Sequence, residues 1–392
     1  MSPSTVYVAV HAGAGHHNKT SERPVKEAMK RACTEALRVS SIPGTDILSI
    51  VERAIVELEN DENINAGTGS NLTLDGTVEC DAAIMDGSTG EFGGGGAPYV
   101  SFDTPLGVKN PIKLAKAILC HSRKFDGLGR IPPLMLVSSG ARSFAMQNGL
   151  EMVDPESMIS KRAKEDWQKW MERYNDLREG MIPESKALLD AAIQDTVGAV
   201  AWDDCGNVAA GVSSGGLLLK NSGRVGEAAI FGAGCWAQQP SNGKTGVACS
   251  VSGTGEHIIR VGMARAIGDA LHFSENQEGT DVHDLLLSLL TERKHDVGPA
   301  AGCIPRPNAG VLLLTAESGN SKPRLWCAFT AEGMAIAYAS SDKPIPKVRS
   351  NDDDAFAHDH SAGDNPSAVR HYRQTRRAGK AIGLYHCSFH VN

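Results

Sequence analysis

Residues 196–214, TVGAVAWDDCGNVAAGVSS, commit their part of the chain to an antiparallel strand pair. Two runs of small and β-forming residues flank the segment from Asp203 to Asn207, whose Asp, Gly and Asn residues suit a tight turn. With the turn centred on Cys205, opposite partners have numbers summing to 410, so Thr196 faces Ser214. Opposite residues share a face with Cβ atoms about 4.5–5.5 Å apart, which brings two hydroxyls together. A bulge would shift the register by one and bring Ser213 instead.

The start of the first run sets the chemistry. A helix-friendly stretch, AAIQ, passes through Asp195 straight into Thr196. A threonine at a strand start is ordinarily structural, because its branched Cβ suits a pleated backbone. Scission of the Asp195–Thr196 bond would add a second reactive group, placing a nucleophilic hydroxyl and a free α-amine on one residue. Such an amine titrates at about 7.7–8.0 against about 10.4 for lysine, so an appreciable fraction is free base at neutral pH. Thr196 is therefore the candidate nucleophile and Asp195–Thr196 the autocleavage point, with the same hydroxyl attacking the Asp195 carbonyl. Gly198 keeps space beside it.

The rest of the chain reads as strands, helices, strands, helices. VYVAV (6–10) is a strand ending in the glycine turn HAGAG, and two amphipathic helices follow, the second capped by Thr45. Residues 63–87 read as two or three short strands, and GEFGGGGAP (90–98) as a flexible loop. Two helical patterns surround RIPP within 110–149, and 153–195 is an exposed, charged, partly helical linker. More strands follow Thr196, then helices at about 256–271 and 282–293, then a closing hairpin from VLLLTAESG and RLWCAFTAEGMAIAYAS. This order is not strict βαβ and favours antiparallel sheets with helices packed outside them, a layered α/β sandwich. The polar, charge-blocked tail, 344–392, is expected to be largely unstructured.

Bulk properties exclude several classes. With 392 residues, 41% of them hydrophobic, the chain can bury a sizeable core, and a net charge of −7 gives no basic field for nucleic acid or anionic membrane. Nine scattered cysteines form no zinc-type pairs and read as reduced thiols of a cytoplasmic or nuclear protein. The N-terminus lacks a basic region before its short apolar stretch, so no signal peptide is expected, and no run is long enough to span a membrane. No metal or cofactor is expected.

Several glycine-flanked residues are candidate site groups. Arg224, between Gly223 and Gly226, presents a guanidinium suited to a paired carboxylate contact. Ser252 and Gly253 end a strand and open a helix, where backbone N–H groups and the positive helix end can face an oxyanion. HAGAG and NAGTGSN add Gly13 and Asn65. The phosphate-loop pattern is absent, and GAG lacks the third glycine of the dinucleotide fingerprint. His11, His16 and His17 are read as structural or solvated, and Asp81 and Asp86 as turn and hydrogen-bonding residues.

Seven blocks, HAGAG, NAGTGSNL, DAAIMDG, DTVGAV, GNVAAGVSSGG, GRVGE and SGTGE, resemble the plant-type asparaginase and glycosylasparaginase family of N-terminal-nucleophile hydrolases in order and spacing. The resemblance implies a four-layer αββα sandwich, two antiparallel sheets between helical layers. It places a single catalytic domain at 1–343, cleaved into an α fragment (1–195) and a β fragment starting at Thr196, and a homodimer of cleaved units. It also implies roles: Thr196 as nucleophile, Ser214 and Gly13 as anchors of its amine, Ser252 and Gly253 as oxyanion donors, and Arg224 as the carboxylate reader. HAGAGHH, SSGG, GCWA and the long charged linker resemble the family's aspartate-directed endopeptidase branch, and imply self-activating hydrolysis after aspartate within protein substrates. Glu227 departs from that branch, which carries an amide there, and matches the acid with which asparaginases hold a substrate amino group. The second reading is therefore an L-asparaginase or isoaspartyl dipeptidase. An uncleaved scaffold binding aspartate-bearing peptides is the third.

Overall fold

Both runs of the hairpin are buried on both faces, and the rest of the molecule is arranged around them. The structure is a computed structural model and describes residues 4–15, 19–98, 106–181, 196–241, 244–273, 281–291, 308–317, 322–331, 333–349, 375–377 and 380–388. Strand β1 (Val6–Gly15) leads into helices α1 (Lys19–Ser40) and α2 (Ile47–Glu59). Next come β2 (Glu79–Asp86), β3 (Phe92–Pro98), β4 (Gly107–Val108), α3 (Pro111–Ser122), β5 (Met135–Val137), α4 (Ser138–Gln147), β6 (Met152–Val153) and α5 (Lys161–Arg178). From Thr196 onward the order is β7 (Val197–Asp203), β8 (Val208–Ser214), β9 (Cys235–Gln238), β10 (Gly246–Gly253), α6 (Gly255–Val261), α7 (Met263–His272) and α8 (Val282–Thr291). The last strands are β11 (Ala309–Ala316), β12 (Arg324–Phe329), β13 (Gly333–Ser340), β14 (Lys343–Arg349), β15 (Thr375–Arg377) and β16 (Lys380–Ser388).

Among the described residues, an eight-stranded sheet runs β14-β13-β1-β7-β8-β2-β3-β5 and a six-stranded sheet runs β15-β16-β12-β11-β10-β9. Neighbours are antiparallel except β3 and β5. Odd-numbered Val197, Ala199 and Ala201 pack with Met29, Val51 and Ile55 of α1 and α2. Even-numbered Val200 and Trp202 belong to the core shared with Ala248, Leu312 and Leu314 of the six-stranded sheet. A strand buried on both faces carries no polar alternation, which is why this one reads as a continuous run of small and apolar residues. On the far side of the six-stranded sheet α7 lies on β10, and α8 lies on α7.

The hairpin has the register given by its sequence arithmetic, Val197 opposite Ser213 and Gly198 opposite Val212. Other expectations need correction. GEFGGGGAP is no loop: β3 occupies it, pairing with β2 and β5. Its glycines are needed for packing, since a Cβ on Gly93 would lie 2.0 Å from the Ala115 carbonyl oxygen of α3. Asp46, not Thr45, caps α2, accepting the Ser49 N–H at 2.8 Å. The expected helix at 256–271 is two helices that meet at Gly262. The expected closing hairpin forms between β11 and β12, but the rest of its second segment, β13, crosses to the other sheet and pairs with β1.

Past residue 343 the backbone continues as β14, paired with β13, and as β15 and β16, the latter paired with β12, where an unstructured tail was expected. In the charged linker, α5 is docked as well as solvated. Arg162 Nη2 donates to the Gly69 carbonyl at 2.5 Å, and Trp167 Nε1 donates to the Thr73 carbonyl at 2.8 Å. No helix among the described residues is long and apolar enough to cross a membrane.

Candidate active site

Thr196 stands just before β7 and Ser214 ends β8, so their even numbers put both side chains on the face turned toward the six-stranded sheet. Their hydroxyl oxygens are 3.0 Å apart, and both residues are buried. Ser214 Oγ also accepts the Gly216 N–H at 3.0 Å, which fixes the chain as it leaves β8. Thr196 Oγ1 donates to Glu227 Oε1 at 3.0 Å. The nucleophile candidate thus has a hydroxyl on one side and a buried carboxylate on the other.

Behind it lies a polar contact between the sheets. His11 Nε2 is 2.8 Å from Ser250 Oγ, and both side chains are fully buried. Burial lowers the His11 pKa to about 3 against the opposing effect of a backbone hydrogen bond at Thr196, so the ring is neutral at physiological pH. Gly198 sits against this pair: a Cβ there would lie 1.9 Å from Ser250 Oγ and 2.5 Å from His11 Nε2.

The cleft is lined by Thr196, Ser214, Gly216, Leu217, Arg224, Glu227 and Gly253. Arg224 Nε donates to Glu256 Oε1 at 2.8 Å, while its buried Nη1 has no hydrogen-bond partner among the described residues. A buried, unsatisfied guanidinium nitrogen is costly, and a carboxylate ligand would satisfy it. Burial raises the Glu227 carboxyl above its ordinary value and Asp81 adds to the rise, while Arg224 and the Thr196 hydrogen bond oppose it. Asp81, on β2, accepts the Gly226 N–H at 2.7 Å and so holds the loop between Arg224 and Glu227. Its own pKa is raised by burial to about 6 although Lys220 and Arg224 pull the other way. Lys220, also buried, donates to the carbonyls of Glu79 at 2.5 Å and Gly215 at 2.8 Å, so it braces the floor of the cleft.

The structure brings five of the sequence-derived candidates together in the cleft: Thr196, Ser214, Arg224, Glu227 and Gly253. Asn65 is behind it, donating to the Gly216 carbonyl at 2.9 Å and accepting the Asn71 N–H at 2.8 Å, which makes it a support for the 214–216 turn. Gly13 lies on β1 one step past Ala12, which pairs with Val197, and Ser252 Oγ accepts the Ala14 N–H at 3.0 Å. Asp195, His16 and His17 lie outside the described residues. Sequence reading missed Lys220, Glu256 and Ser250 as supporting groups and gave Asp81 only a generic hydrogen-bonding role. Each has a partner brought to it by the tertiary fold; Lys220 and Glu79 are 141 residues apart, and Asp81 and Gly226 are 145.

Comparison with known proteins defines the class. A family model described as Asparaginase matches residues 4–337, and the chain belongs to this asparaginase family of N-terminal-nucleophile hydrolases. It is 33% identical over 291 residues to the isoaspartyl peptidase/L-asparaginase of Xenopus laevis, covering 74% of this chain and 83% of that one. It is 32% identical over 354 residues to a probable isoaspartyl peptidase/L-asparaginase 2 of Arabidopsis thaliana, covering 86% and 96%. A plant-type L-asparaginase of Pyrococcus horikoshii is 37% identical over 275 residues, covering 67% and 79%. These relatives overturn the expectation of a threonine aspartase (taspase) cutting proteins after aspartate: they are isoaspartyl peptidases and asparaginases. Of the blocks behind that expectation, SSGG supplies Ser214 and Gly216 to the cleft lining, whereas the group facing the nucleophile is the acidic Glu227.

Proposed function

We propose that the chain hydrolyses small β-aspartyl compounds, as an L-asparaginase and isoaspartyl dipeptidase. One observation carries this reading: Arg224 and Glu227, a cation and an anion, line the same cleft as Thr196. An amino-acid substrate presents an α-carboxylate and an α-ammonium next to each other, and this pair of charges complements them. Arg224 Nη1 takes the carboxylate and Glu227 takes the ammonium, which leaves the side-chain amide carbonyl to Thr196 Oγ1. An internal aspartate in a protein offers no free α-ammonium, so Glu227 would face it unpaired, at a desolvation cost.

The reading includes self-cleavage between Asp195 and Thr196, and a four-layer αββα sandwich. Thr196 Oγ1 attacks the substrate carbonyl, and the freed Thr196 amine accepts its proton, held by Ser214 and the backbone at Gly13. Donors at Ser252 and Gly253 stabilise the oxyanion. Ammonia or an amino acid departs with the proton from the amine, and water then hydrolyses the threonyl ester. The test is a comparison of substrates on matured protein: free L-asparagine and a β-aspartyl dipeptide should be turned over, and a blocked peptide with an internal Asp–Gly bond should not. Cleavage of the blocked peptide alone would overturn the reading.

A further inference from the structure

Before the chain is cut, Thr196 has no free amine, so the base that serves turnover does not yet exist. Some other group must take the hydroxyl proton when Thr196 attacks the preceding carbonyl. Two side-chain oxygens lie within hydrogen-bond distance of Thr196 Oγ1 among the described residues, Ser214 Oγ and Glu227 Oε1, each at 3.0 Å. Serine is no base at neutral pH. Glu227 is 3% exposed and already accepts the hydroxyl's hydrogen bond.

We infer that Glu227 is the proton acceptor for self-scission, so that one carboxylate first makes the catalyst and then binds its substrate. The inference rests on the self-cleavage reading above. The Thr196 proton passes to Glu227 Oε1 as Oγ1 bonds to the Asp195 carbonyl carbon. The Asp195–Thr196 C–N bond then breaks, and the proton on Glu227 moves to the departing Thr196 nitrogen. Water hydrolyses the resulting ester, giving the Asp195 α-carboxylate and restoring the hydroxyl, with one water consumed in total. Burial suits the task, because a carboxylate less acidic than usual is a stronger base. The charged and titratable groups around it are Arg224 on its own loop and Asp81 from β2, with Lys220 behind Asp81 and Glu256 against Arg224.

The full chain made by cell-free translation, followed by intact mass from pH 5 to 9, tests this. The unaltered chain should split into 1–195 and 196–392 at a rate that rises with pH through one ionisation, and Thr196→Ala should stay whole. Glu227→Gln should split at least about 100-fold more slowly and lose that ionisation from its profile. Glu227→Ala should be equally slow and regain speed in added acetate, a recovery that a purely structural role would not produce. Circular dichroism shows whether each variant is folded. An unaltered chain that never splits would sink the self-cleavage reading and this inference with it. If the chain splits but Glu227→Gln keeps its rate, or acetate gives no recovery in folded Glu227→Ala, the inference alone falls.

Discussion

Gly198 shows how little room the nucleophile's strand has. Replacing it with alanine would force a methyl group into the His11–Ser250 contact, where overpacking costs about 1–3 kcal/mol. Gly198→Ala should therefore lower the thermal midpoint of the uncleaved Thr196→Ala background, a measurement that separates stability from maturation. Arg224→Lys keeps the charge but loses the planar fork, so kcat/KM for asparagine should fall about 10- to 100-fold in steady-state kinetics. Much of this site was legible in the sequence. Ser214 came from counting across a turn, and Glu227 only from the resemblance to the asparaginase family, which carries an acid three residues after its arginine. Asn65 was legible as important but not in its role, because its glycine-rich surroundings look alike whether they touch ligand or brace a turn. Contacts such as His11 to Ser250, 239 residues apart, leave no local signature.

Glu59 joins three elements. It ends α2, accepts the Ile112 N–H of α3 at 3.0 Å, and accepts the Ser213 hydroxyl of β8 at 2.7 Å. It is fully buried, and burial raises its pKa from 4.5 to about 8. The folded state therefore holds this proton where the unfolded chain releases it. The stability so conferred is complete below about pH 4.5, erodes as pH rises, and is lost once pH passes about 8. Urea titrations should show the parent losing stability relative to Glu59→Gln between those limits, by up to a few kcal/mol. At the other side of the molecule β16 covers the edge of β12. Truncation after residue 349 should leave β12 as an exposed edge and promote aggregation on warming, measurable by light scattering. Elements with strong local patterns, such as α2 and the β7–β8 hairpin, were readable beforehand. β3 was not, because its glycines answer to α3 rather than to their neighbours, and the docking of β16 was not, because β12, the strand that ties it into the sheet, lies more than fifty residues away.

The eight-stranded sheet draws its strands from both sides of residue 195, in interleaved blocks. β1 lies between β13 and β7, and β2 pairs with β8. Cutting the chain at Thr196 therefore leaves two fragments laced through one sheet and two shared cores. They should co-elute in native gel filtration and separate only in denaturant. The same lacing bears on birth as well as maturity. Tyr7 pairs with Ser340, so during synthesis β1 waits for the much later β13 before its outer edge is filled. A polypeptide stalled between Thr196 and β13 would hold the threonine but not the finished sheet around it, so the cut would serve as a receipt that synthesis had passed Ser340.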